Sequence, residues 1–516
     1  MTAEKGKSIQ RVRVAAQIFF LILFFFLLFK TGAAPAARFG FSTAFFYIDP
    51  LILLASILAA QKLIPIFLLA LVPFLLTFIL GRFFCGWACP FGAIHQFFTW
   101  LARKTGRRKV AVDHRPLRIK YILLIAFLVA SLFGTQLVGW LDPFSFLTRS
   151  SAVSVLPGMN FLLQHGLQVG AGDAGIVARV VKPLYEFSRK TVLTGKQRTF
   201  TQPLLIGFAL VLVLYLNFYR RRFFCNSICP LGAFYGIFAR YSLIHLKTTG
   251  ECKGCNACAN HCTYYGSPYQ DYLKSECLLC FNCIADCPHS AITVEMTRPA
   301  EGSRPAVDVG RRRMFVSLGS GLALAAFPAI SVFQKSRFHG FIRPPGSVRE
   351  KDFLKKCIRC GECMQVCPTN AIHPALLQTG MQGIWSPILV PVNGYCEYEC
   401  NKCTQVCPTK AIGKLAVEEK KKFKIGTAVV NRSLCYTYAD GYNCAVCEEH
   451  CPVPEKAIRF RSVDVYNFRG KLKKVNQIYV VPDLCIGCGI CENVCPRIDS
   501  PAIAVGAEEE QRETGE

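Results

Sequence analysis

The chain has 516 residues, of which 52% are hydrophobic and only 18% charged, a balance that disfavours a purely soluble protein. Its net charge of +27 does not indicate nucleic acid, because the basic excess accompanies the apolar runs: residues 1–334 carry 35 Lys/Arg against 13 Asp/Glu (+22), and residues 335–516 carry 25 against 20 (+5). The 28 cysteines, seven times four, are the most informative feature of the composition.

Five uncharged stretches are long enough, or nearly so, to cross a bilayer core of about 30 Å as helices. They are Val14–Phe29, Leu63–Gly81, Tyr121–Leu141, Thr199–Tyr219 and Met314–Gln334. Basic clusters precede the first stretch, separate the second from the third and follow the fourth, so these segments are expected on the cytoplasmic side. The sequence therefore predicts a multi-pass protein of the cytoplasmic membrane, embedded in lipid.

An internal duplication lies within the apolar half. Arg82–Ala93 (RFFCGWACPFGA) matches Arg222–Ala233 (RFFCNSICPLGA), and an Asp-Pro precedes each copy, at Asp49 and Asp142. Two copies of one helical hairpin predict an all-α, four-helix membrane domain over residues 1–245. The two aspartates are candidate proton-handling groups, and the alternative is an ordinary turn-forming Asp-Pro.

Six cysteine quartets read Cys-x2-Cys-x2-Cys-x3-Cys or close to it. They are Cys252, Cys255, Cys258 and Cys262; Cys277, Cys280, Cys283 and Cys287; Cys357, Cys360, Cys363 and Cys367; Cys396, Cys400, Cys403 and Cys407; Cys435, Cys444, Cys447 and Cys451; and Cys485, Cys488, Cys491 and Cys495. This is the bacterial ferredoxin run, in which three thiolates hold one [4Fe–4S] cube and the fourth ligates its neighbour. Disulfide scaffolds rarely repeat such runs, and zinc pairs are usually separated by longer loops. Six [4Fe–4S] clusters are predicted.

The quartets divide into two ferredoxin-like α+β units. The first two form a cytoplasmic two-cluster domain over residues 246–300, in which crossover ligation pairs Cys287 with the first three thiols and Cys262 with the next three. The other four form a four-cluster unit over residues 346–516. Either adjacent or nested pairing is possible there; we favour nested pairing, third quartet with sixth and fourth with fifth, because the strand-like run Thr427–Val430 precedes the fifth quartet.

Four cysteines remain, one Cys-x3-Cys-Pro from each membrane repeat: Cys85, Cys89, Cys225 and Cys229. A pseudo-twofold axis between the repeats would bring both pairs together at the inner membrane face, where they could ligate a seventh cluster. A redox-active dithiol pair, a copper(I) site and plain packing are the alternatives that these residues leave open.

The segment 301–345 connects the two ferredoxin units and begins its apolar run at Gly310-Arg-Arg-Arg-Met-Phe-Val316. A twin arginine before a mildly apolar stretch is typical of a Tat export signal. Left uncleaved inside the chain, it would form a fifth span and carry the C-terminal unit to the periplasmic side. The alternative is a linker on the cytoplasmic face.

Two known families share these motifs. Residues 10–290 resemble the NapH-type membrane iron–sulfur subunits of periplasmic nitrate-reductase systems and, more distantly, the NosR-like membrane polyferredoxins, through the paired Cys-x3-Cys-Pro motifs and the two-cluster domain. Residues 310–505 resemble the exported four-cluster NapG-type partner, twin-arginine start included. The chain thus looks like a natural NapH–NapG fusion. The resemblance implies a quinol dehydrogenase that feeds electrons to periplasmic acceptors.

We therefore expect a membrane-bound electron-transfer subunit that links quinone or menaquinone to a partner oxidoreductase. No Cys-x-x-Cys-His occurs, so no c-type haem is expected. A redox or metal-handling assembly factor that uses the four membrane thiols is the alternative function. A third possibility places all six clusters in the cytoplasm. One gap stays open: roughly 30 Å of hydrocarbon separates the inner face from the outer clusters, and no motif fills it.

Overall fold

The computed structural model describes residues 3–33, 43–105, 115–172, 183, 186, 197–249, 251–262, 272–296, 310–326, 340–466, 472–497 and 500–514. The basic loop 106–114 and the last part of the predicted fifth span, residues 327–334, lie outside the described residues.

The N-terminal region is helical, as predicted. Its helices are α1 Ala3–Ala33, α2 Ala44–Tyr47, α3 Pro50–Ala60, α4 Leu71–Leu80, α5 Phe83–Trp87, α6 Pro90–Lys104, α7 Ile119–Leu132, α8 Pro143–Ser150, α9 Leu156–Gly172, α10 Pro203–Tyr215 and α11 Pro230–Ala239. A 3-10 helix, Pro65–Ala70, leads into α4, and π-helical turns occupy Ser151–Val155 and Phe224–Ile228.

Among the described helices, one is long and apolar enough to cross a membrane by itself, over Glu4–Thr31 of α1. The other apolar helices of this region, including Pro65–Leu80 and Pro203–Phe218, have 10 to 17 residues. The predicted helices are therefore present, but most are shorter than the roughly 20 residues of an ordinary span.

The third predicted span, Tyr121–Leu141, is wrong in its second half. Helix α7 ends at Leu132 because Gly134 adopts φ +79°, a left-handed conformation that glycine tolerates. The amide of Gly134 donates to the carbonyl of Ser131, and the amide of Thr135 donates to that of Ala130. This is a Schellman ending, which satisfies the last carbonyls of the helix and turns the chain aside.

The 24 cysteines of the six quartets lie in short elements and in the loops between them. The helices are α12 Ala257–His261, α13 Asn282–Ala285, α14 Gly310–Ala326, α15 Glu350–Lys356, α16 Glu362–Val366, α17 Lys402–Val406, α18 Val417–Lys422, α19 Tyr436–Ala439, α20 Val446–Glu449, α21 Ile490–Asn493 and α22 Gln511–Thr514. The strands form four antiparallel pairs, β1 Ile244–Thr248 with β2 Ile292–Met296, β3 Ile372–Pro374 with β4 Pro387–Leu389, β5 Thr427–Val430 with β8 Ile503–Gly506, and β6 Ile458–Tyr466 with β7 Leu472–Val480.

The two ferredoxin-like units contact opposite ends of α1. Near its start, Arg13 Nη2 donates to Asn282 Oδ1 of the first unit at 3.3 Å. Near its end, the carbonyl of Leu28 accepts a hydrogen bond from Gln365 Nε2 of the second unit, also at 3.3 Å. These contacts are 15 residues apart, or about 22 Å at the usual helical rise of about 1.5 Å per residue. The helical region therefore lies between the two units.

Candidate iron–sulfur centres

All 28 cysteines lie in the described part of the chain, and all are free thiols. Cys287 joins the first three cysteines of the first unit in one pocket; we call this set 1: Cys252, Cys255, Cys258 and Cys287. Cys262 interacts electrostatically with the three that follow, which gives set 2: Cys262, Cys277, Cys280 and Cys283. The arrangement matches the crossover pattern that we predicted for this unit.

In the C-terminal unit the nested pairing is wrong, and neighbouring quartets pair instead. Set 3 is Cys357, Cys360, Cys363 and Cys407, and set 4 is Cys367, Cys396, Cys400 and Cys403. Set 5 is Cys451, Cys485, Cys488 and Cys491, and set 6 is Cys435, Cys444, Cys447 and Cys495. The physical reason is the sheet: β5, just before Cys435, pairs with β8, just after Cys495. The strand that suggested nesting thus joins the fifth quartet to the sixth.

The donor atoms of these pockets are of the kind that a cubane cluster requires. Their lining combines four thiols with apolar residues and short turns, as a buried iron–sulfur cube requires. Burial raises the pKa of Cys277 to about 12 and that of Cys396 to about 11, so without iron these thiols would be neutral at pH 7. Cluster assembly must therefore release protons, because only thiolates ligate iron.

No three His, Cys, Asp or Glu side chains within the described ranges converge closely enough to hold a single metal ion. The four thiols of a cubane surround four iron and four sulfide ions, so a pocket of this kind is wider than a one-ion site.

The four remaining thiols form the membrane set: Cys85, Cys89, Cys225 and Cys229. All four are at most 9% exposed and belong to one hydrophobic core. Cys89 and Cys229 are the N-caps of α6 and α11, where Sγ accepts a hydrogen bond from the amide of Gly92 at 3.4 Å and of Gly232 at 3.2 Å. Helix N-termini favour negative charge, so both positions suit thiolates. The electrostatic interactions of Cys89 and Cys229 reach the thiols of both repeats, so the two pairs converge as predicted.

Two buried arginines cross between the repeats beside this set. Arg222 Nη2 donates to the carbonyl of Gly92 at 2.5 Å, and its Nη1 donates to that of Cys85 at 3.5 Å. In the other direction, a Cβ on Gly232 would stand 2.8 Å from Arg82 Nη2. Each repeat thus sends its arginine to the Cys-Pro-x-Gly turn of the other, and two permanent positive charges flank four thiols.

A buried ion network joins the first ferredoxin unit to this region. Glu276, just before set 2, accepts from Arg82 Nη1 and from Lys120 Nζ, both at 2.5 Å, and from the Tyr121 hydroxyl at 2.7 Å. Burial alone would raise the pKa of Glu276, but Lys120 and Arg82 outweigh it and lower that pKa. The carboxylate is therefore charged at neutral pH and holds the two elements together.

Loops of sets 2 and 3 approach the membrane set from opposite sides. A Cβ on Gly86 would stand 2.9 Å from the Leu278 carbonyl oxygen, between the first two cysteines of the Cys277 run, and Trp87 Nε1 donates to the Leu279 carbonyl at 3.2 Å. On the other side, a Cβ on Gly139 would overlap the carbonyl of Ile358, which lies between Cys357 and Cys360. Glycine is required at both positions because backbones meet there.

Buried arginines fix the second contact. Arg149 Nη1 donates to the carbonyl of Arg359 at 2.9 Å, and Arg359 Nη1 donates to that of Gln136. Both guanidinium groups are nearly inaccessible to solvent and stack on indoles, Arg149 on Trp385 and Arg359 on Trp140. The C-terminal unit is therefore anchored by directional bonds to the turn between α7 and α8.

The sets follow one another in a line. Cys360 of set 3 belongs to the same hydrophobic core as the membrane set, and Cys280 of set 2 packs against it. Further out, the amide of Cys396 in set 4 donates to the carbonyl of Cys488 in set 5 at 2.8 Å. The order is therefore set 1, set 2, membrane set, set 3, set 4, set 5 and set 6.

The distance between the membrane set and the C-terminal unit is smaller in the structure than the roughly 30 Å expected from the thickness of the bilayer core. Gln17 Nε2 donates to the carbonyl of Gly86 at 2.6 Å, which marks the level of the membrane set on α1. Gln365 contacts α1 at Leu28, 11 residues later, or about 17 Å along the axis. The C-terminal unit reaches into the helical region, and this could not be predicted from the hydropathy pattern.

Comparison with known proteins agrees with these assignments. A family model described as a 4Fe-4S binding domain matches residues 63–108 and 200–248, each of which contains one Cys-x3-Cys-Pro motif. A second 4Fe-4S binding domain matches 353–373, and a 4Fe-4S dicluster domain matches 442–497. No solved structure matches the chain.

Several curated relatives are ferredoxin-type proteins. The chain is 34% identical over 201 residues to the ferredoxin-type protein NapG of Escherichia coli (strain K12), which covers 38% of this chain and 85% of that protein. The chain belongs to the NapG/MauM family of ferredoxin-type proteins. It is also 30% identical over 203 residues to the methylamine utilization ferredoxin-type protein MauM of Methylorubrum extorquens, over 39% of this chain and 87% of the relative. To MauN of Paracoccus denitrificans it is 28% identical over 223 residues, 42% of this chain and 60% of that protein. As a member of this family, the chain binds 4Fe-4S clusters and carries out ferredoxin-type electron transfer.

Proposed function

We propose that this protein is a multi-pass subunit of the cytoplasmic membrane that relays electrons from the quinol pool to an oxidoreductase on the periplasmic side. In this proposal a NapH-type half, residues 1–300, is fused to a NapG-type half. Sets 1 to 6 hold six [4Fe–4S] clusters, and the membrane set holds a seventh. Electrons pass one at a time through the line of sets, since a cubane exchanges single electrons, whereas quinol oxidation supplies two.

The observation that carries the proposal is the continuity of the line through the helical region. Cys360 of set 3 belongs to the buried core that contains the four thiols of the membrane set, and Cys280 of set 2 packs against it. The two ferredoxin-like units contact α1 near opposite ends. An assembly factor would need these thiols accessible to a client protein, but all four are at most 9% exposed. The burial therefore favours a relay over the assembly function.

Exposed apolar side chains support a lipid-embedded helical region. The outward faces of several helices carry them, among others Phe19, Ile22, Leu75, Leu204 and Phe208, which are 60%, 63%, 60%, 85% and 65% exposed. So much apolar surface is unfavourable in water and marks contact with a membrane or a partner. Lys30, at the end of α1, stands over the Phe26 ring at 5.5 Å, as a lysine that reaches the interface would.

The connecting helix α14 supports placement of the two units on opposite sides. It begins with the exposed arginines 311–313 and packs closely on α7, where a Cβ on Gly321 would stand 2.6 Å from Val129 Cβ. Small residues at such contacts are typical of helix pairs in membranes. Phe315 and Leu322, 69% and 50% exposed, point away from this contact. A twin-arginine segment used as a span would carry the folded C-terminal unit outward.

The test uses the full-length protein in nanodiscs, reduced by a quinol analogue and followed by EPR on the millisecond-to-second scale. We expect the clusters of sets 3 to 6 to become reduced in the wild type. Cys225→Ser should lower that rate at least tenfold, while Ser227→Ala, a buried non-thiol control in the same turn, should leave it within twofold. Equal rates in Cys225→Ser and wild type would refute the relay through the membrane set.

A further inference from the structure

The two Asp-Pro turns of the duplicated hairpins meet inside the protein. Asp49 is the N-cap of α3 and Asp142 the N-cap of α8, and both side chains are 0% exposed. Both therefore have the turn-forming role that the Asp-Pro pattern predicts. The two carboxyl groups are electrostatic neighbours across the duplication, so each bears on the protonation of the other.

Capping uses one oxygen of each carboxyl group. Asp49 Oδ1 accepts from the amides of Leu51 and Ile52 at 2.8 and 3.1 Å, and Asp142 Oδ2 accepts from that of Ser145 at 2.8 Å. The second oxygens, Asp49 Oδ2 and Asp142 Oδ1, are buried. No donor among the described residues reaches either second oxygen, and two neighbouring buried carboxylates repel each other unless a proton lies between them, as in other buried carboxyl pairs.

A buried phenol connects this pair to the membrane set. The hydroxyl of Tyr235, on α11, is fully buried and has no hydrogen-bond partner among the residues that the structure describes. Its electrostatic partners are Asp49 and Asp142 on one side and Cys85 and Cys89 on the other. Tyr235 is therefore an electrostatic neighbour of both the aspartate pair and the thiols of the membrane set.

The charged groups around the pair are few. Arg149, on α8, interacts with Asp142 and with Cys360 of set 3. The titratable groups of the other helices packed on α3 are Lys120 and Tyr121 of α7, Tyr235 of α11, and Glu350, Lys351, Asp352, Lys355 and Lys356 of α15. Lys120 and Tyr121 of α7 bind Glu276, and Lys355 of α15 binds Asp352 at 3.1 Å. Charge changes in the membrane set and in set 3 are therefore expected to be the main influence on the protonation of Asp49 and Asp142.

We propose that Asp49 and Asp142 form a redox-linked proton-binding site that takes up one proton when the membrane set is reduced. Before reduction the pair holds one shared proton and one negative charge. When the membrane cluster gains one electron from the relay, the pair binds one proton from the aqueous phase and becomes neutral. When the electron passes to set 3, the proton leaves. Charge is balanced at each step, and the site rests on the proposed cluster.

Asparagine variants separate this role from helix capping. In Asp49→Asn and Asp142→Asn the side-chain oxygen can still cap the helix, and the amide can donate to the remaining carboxylate, but no shared proton exists. Asp352→Asn, at a half-exposed carboxyl group on α15, is the matched control. Iron content verifies that each variant is loaded.

The measurement is electrode-driven infrared difference spectroscopy of the full-length protein. On reduction, the wild type and Asp352→Asn should gain a protonated-carboxyl band that shifts in D2O, and both pair variants should lack it. The potential of the membrane set should fall with pH by up to about 59 mV per unit in the wild type, the one-electron value for a tenfold change in proton concentration, and stay flat in the pair variants. Absence of the band in the wild type, or its persistence in both variants, would overturn the proposal.

Because the electrode supplies the electrons in place of quinol, this test remains valid even if quinol does not drive the relay. If the relay works but the protonated-carboxyl band is absent, only the proposed proton site is overturned. If an asparagine variant fails to load iron, wild-type protein with 13C-labelled aspartate decides instead. The band must then shift with the label, and a band that does not shift rules out aspartate.

Discussion

Glu276→Gln is expected to weaken the docking of the first ferredoxin unit on the helical region. The carboxylate is fully buried and faces two cations, Arg82 and Lys120, each at 2.5 Å. Removing the charge leaves both cations buried beside a neutral amide, and breaking a buried ion pair in this way costs about 3–5 kcal/mol. That energy corresponds to roughly a 10²- to 4 × 10³-fold change in the docking equilibrium.

Glu295→Gln is the matched control within the same unit. Its carboxylate is 35% exposed and pairs with Lys247 at 3.3 Å, so the change should cost at most about 1 kcal/mol. Urea titration in detergent, followed by cluster absorbance and by proteolysis between residues 245 and 300, measures both variants at equal iron content. A cost for Glu276→Gln within about 1 kcal/mol of the control would refute the docking role of the network.

Three further outcomes are expected. Gly139→Val should detach the C-terminal unit, at a cost of about 1–3 kcal/mol, because the new side chain would overlap a backbone carbonyl. Gly158→Ala, where a Cβ meets nothing within 4 Å, should be neutral. The crosslinking yield between the helical region and the C-terminal unit should fall in the first variant and not in the second. Burial alone would raise the pKa of Glu350, but Arg343 and Arg512 outweigh burial and lower it. The charged carboxylate therefore stabilises the fold above pH about 4.3, and this stabilisation is lost as the pH falls through the lowered pKa. The difference in unfolding free energy between wild type and Glu350→Gln should vanish in acid, and a difference that stays constant with pH would contradict this. Fully loaded wild type should contain about 28 iron atoms per chain and Cys225→Ser about 24, whereas about 24 in both would remove the seventh cluster.

Much of the site could be predicted because cysteine spacing is a local property. The crossover in the first unit follows from two adjacent runs, and the convergence of Cys85 with Cys225 follows from the duplication. The pairing in the C-terminal unit could not be predicted, since it depends on which strand joins β5. Spacing alone does not reveal that the partner is β8.

The contacts that join the units were also hidden in the sequence. Gly139 and Ile358 are more than 200 residues apart, and nothing in either neighbourhood indicates that their backbones touch. The same holds for Arg222, which caps a turn of the other repeat instead of its own. The hydropathy pattern predicted the helices but not their ends. Helix α7 stops at a Schellman turn inside an apolar run, which leaves room for the C-terminal unit to approach.

Electron transfer across the bilayer is the most direct test of the proposed relay. Vesicles that contain the full-length protein and trapped ferricyanide are given a membrane-impermeant reductant on the outside, and ferricyanide absorbance is followed. Wild type should reduce the trapped ferricyanide well above the rate of protein-free vesicles, and Cys225→Ser should not. Trapped ferricyanide that stays oxidised with fully loaded wild type would contradict a relay that crosses the membrane.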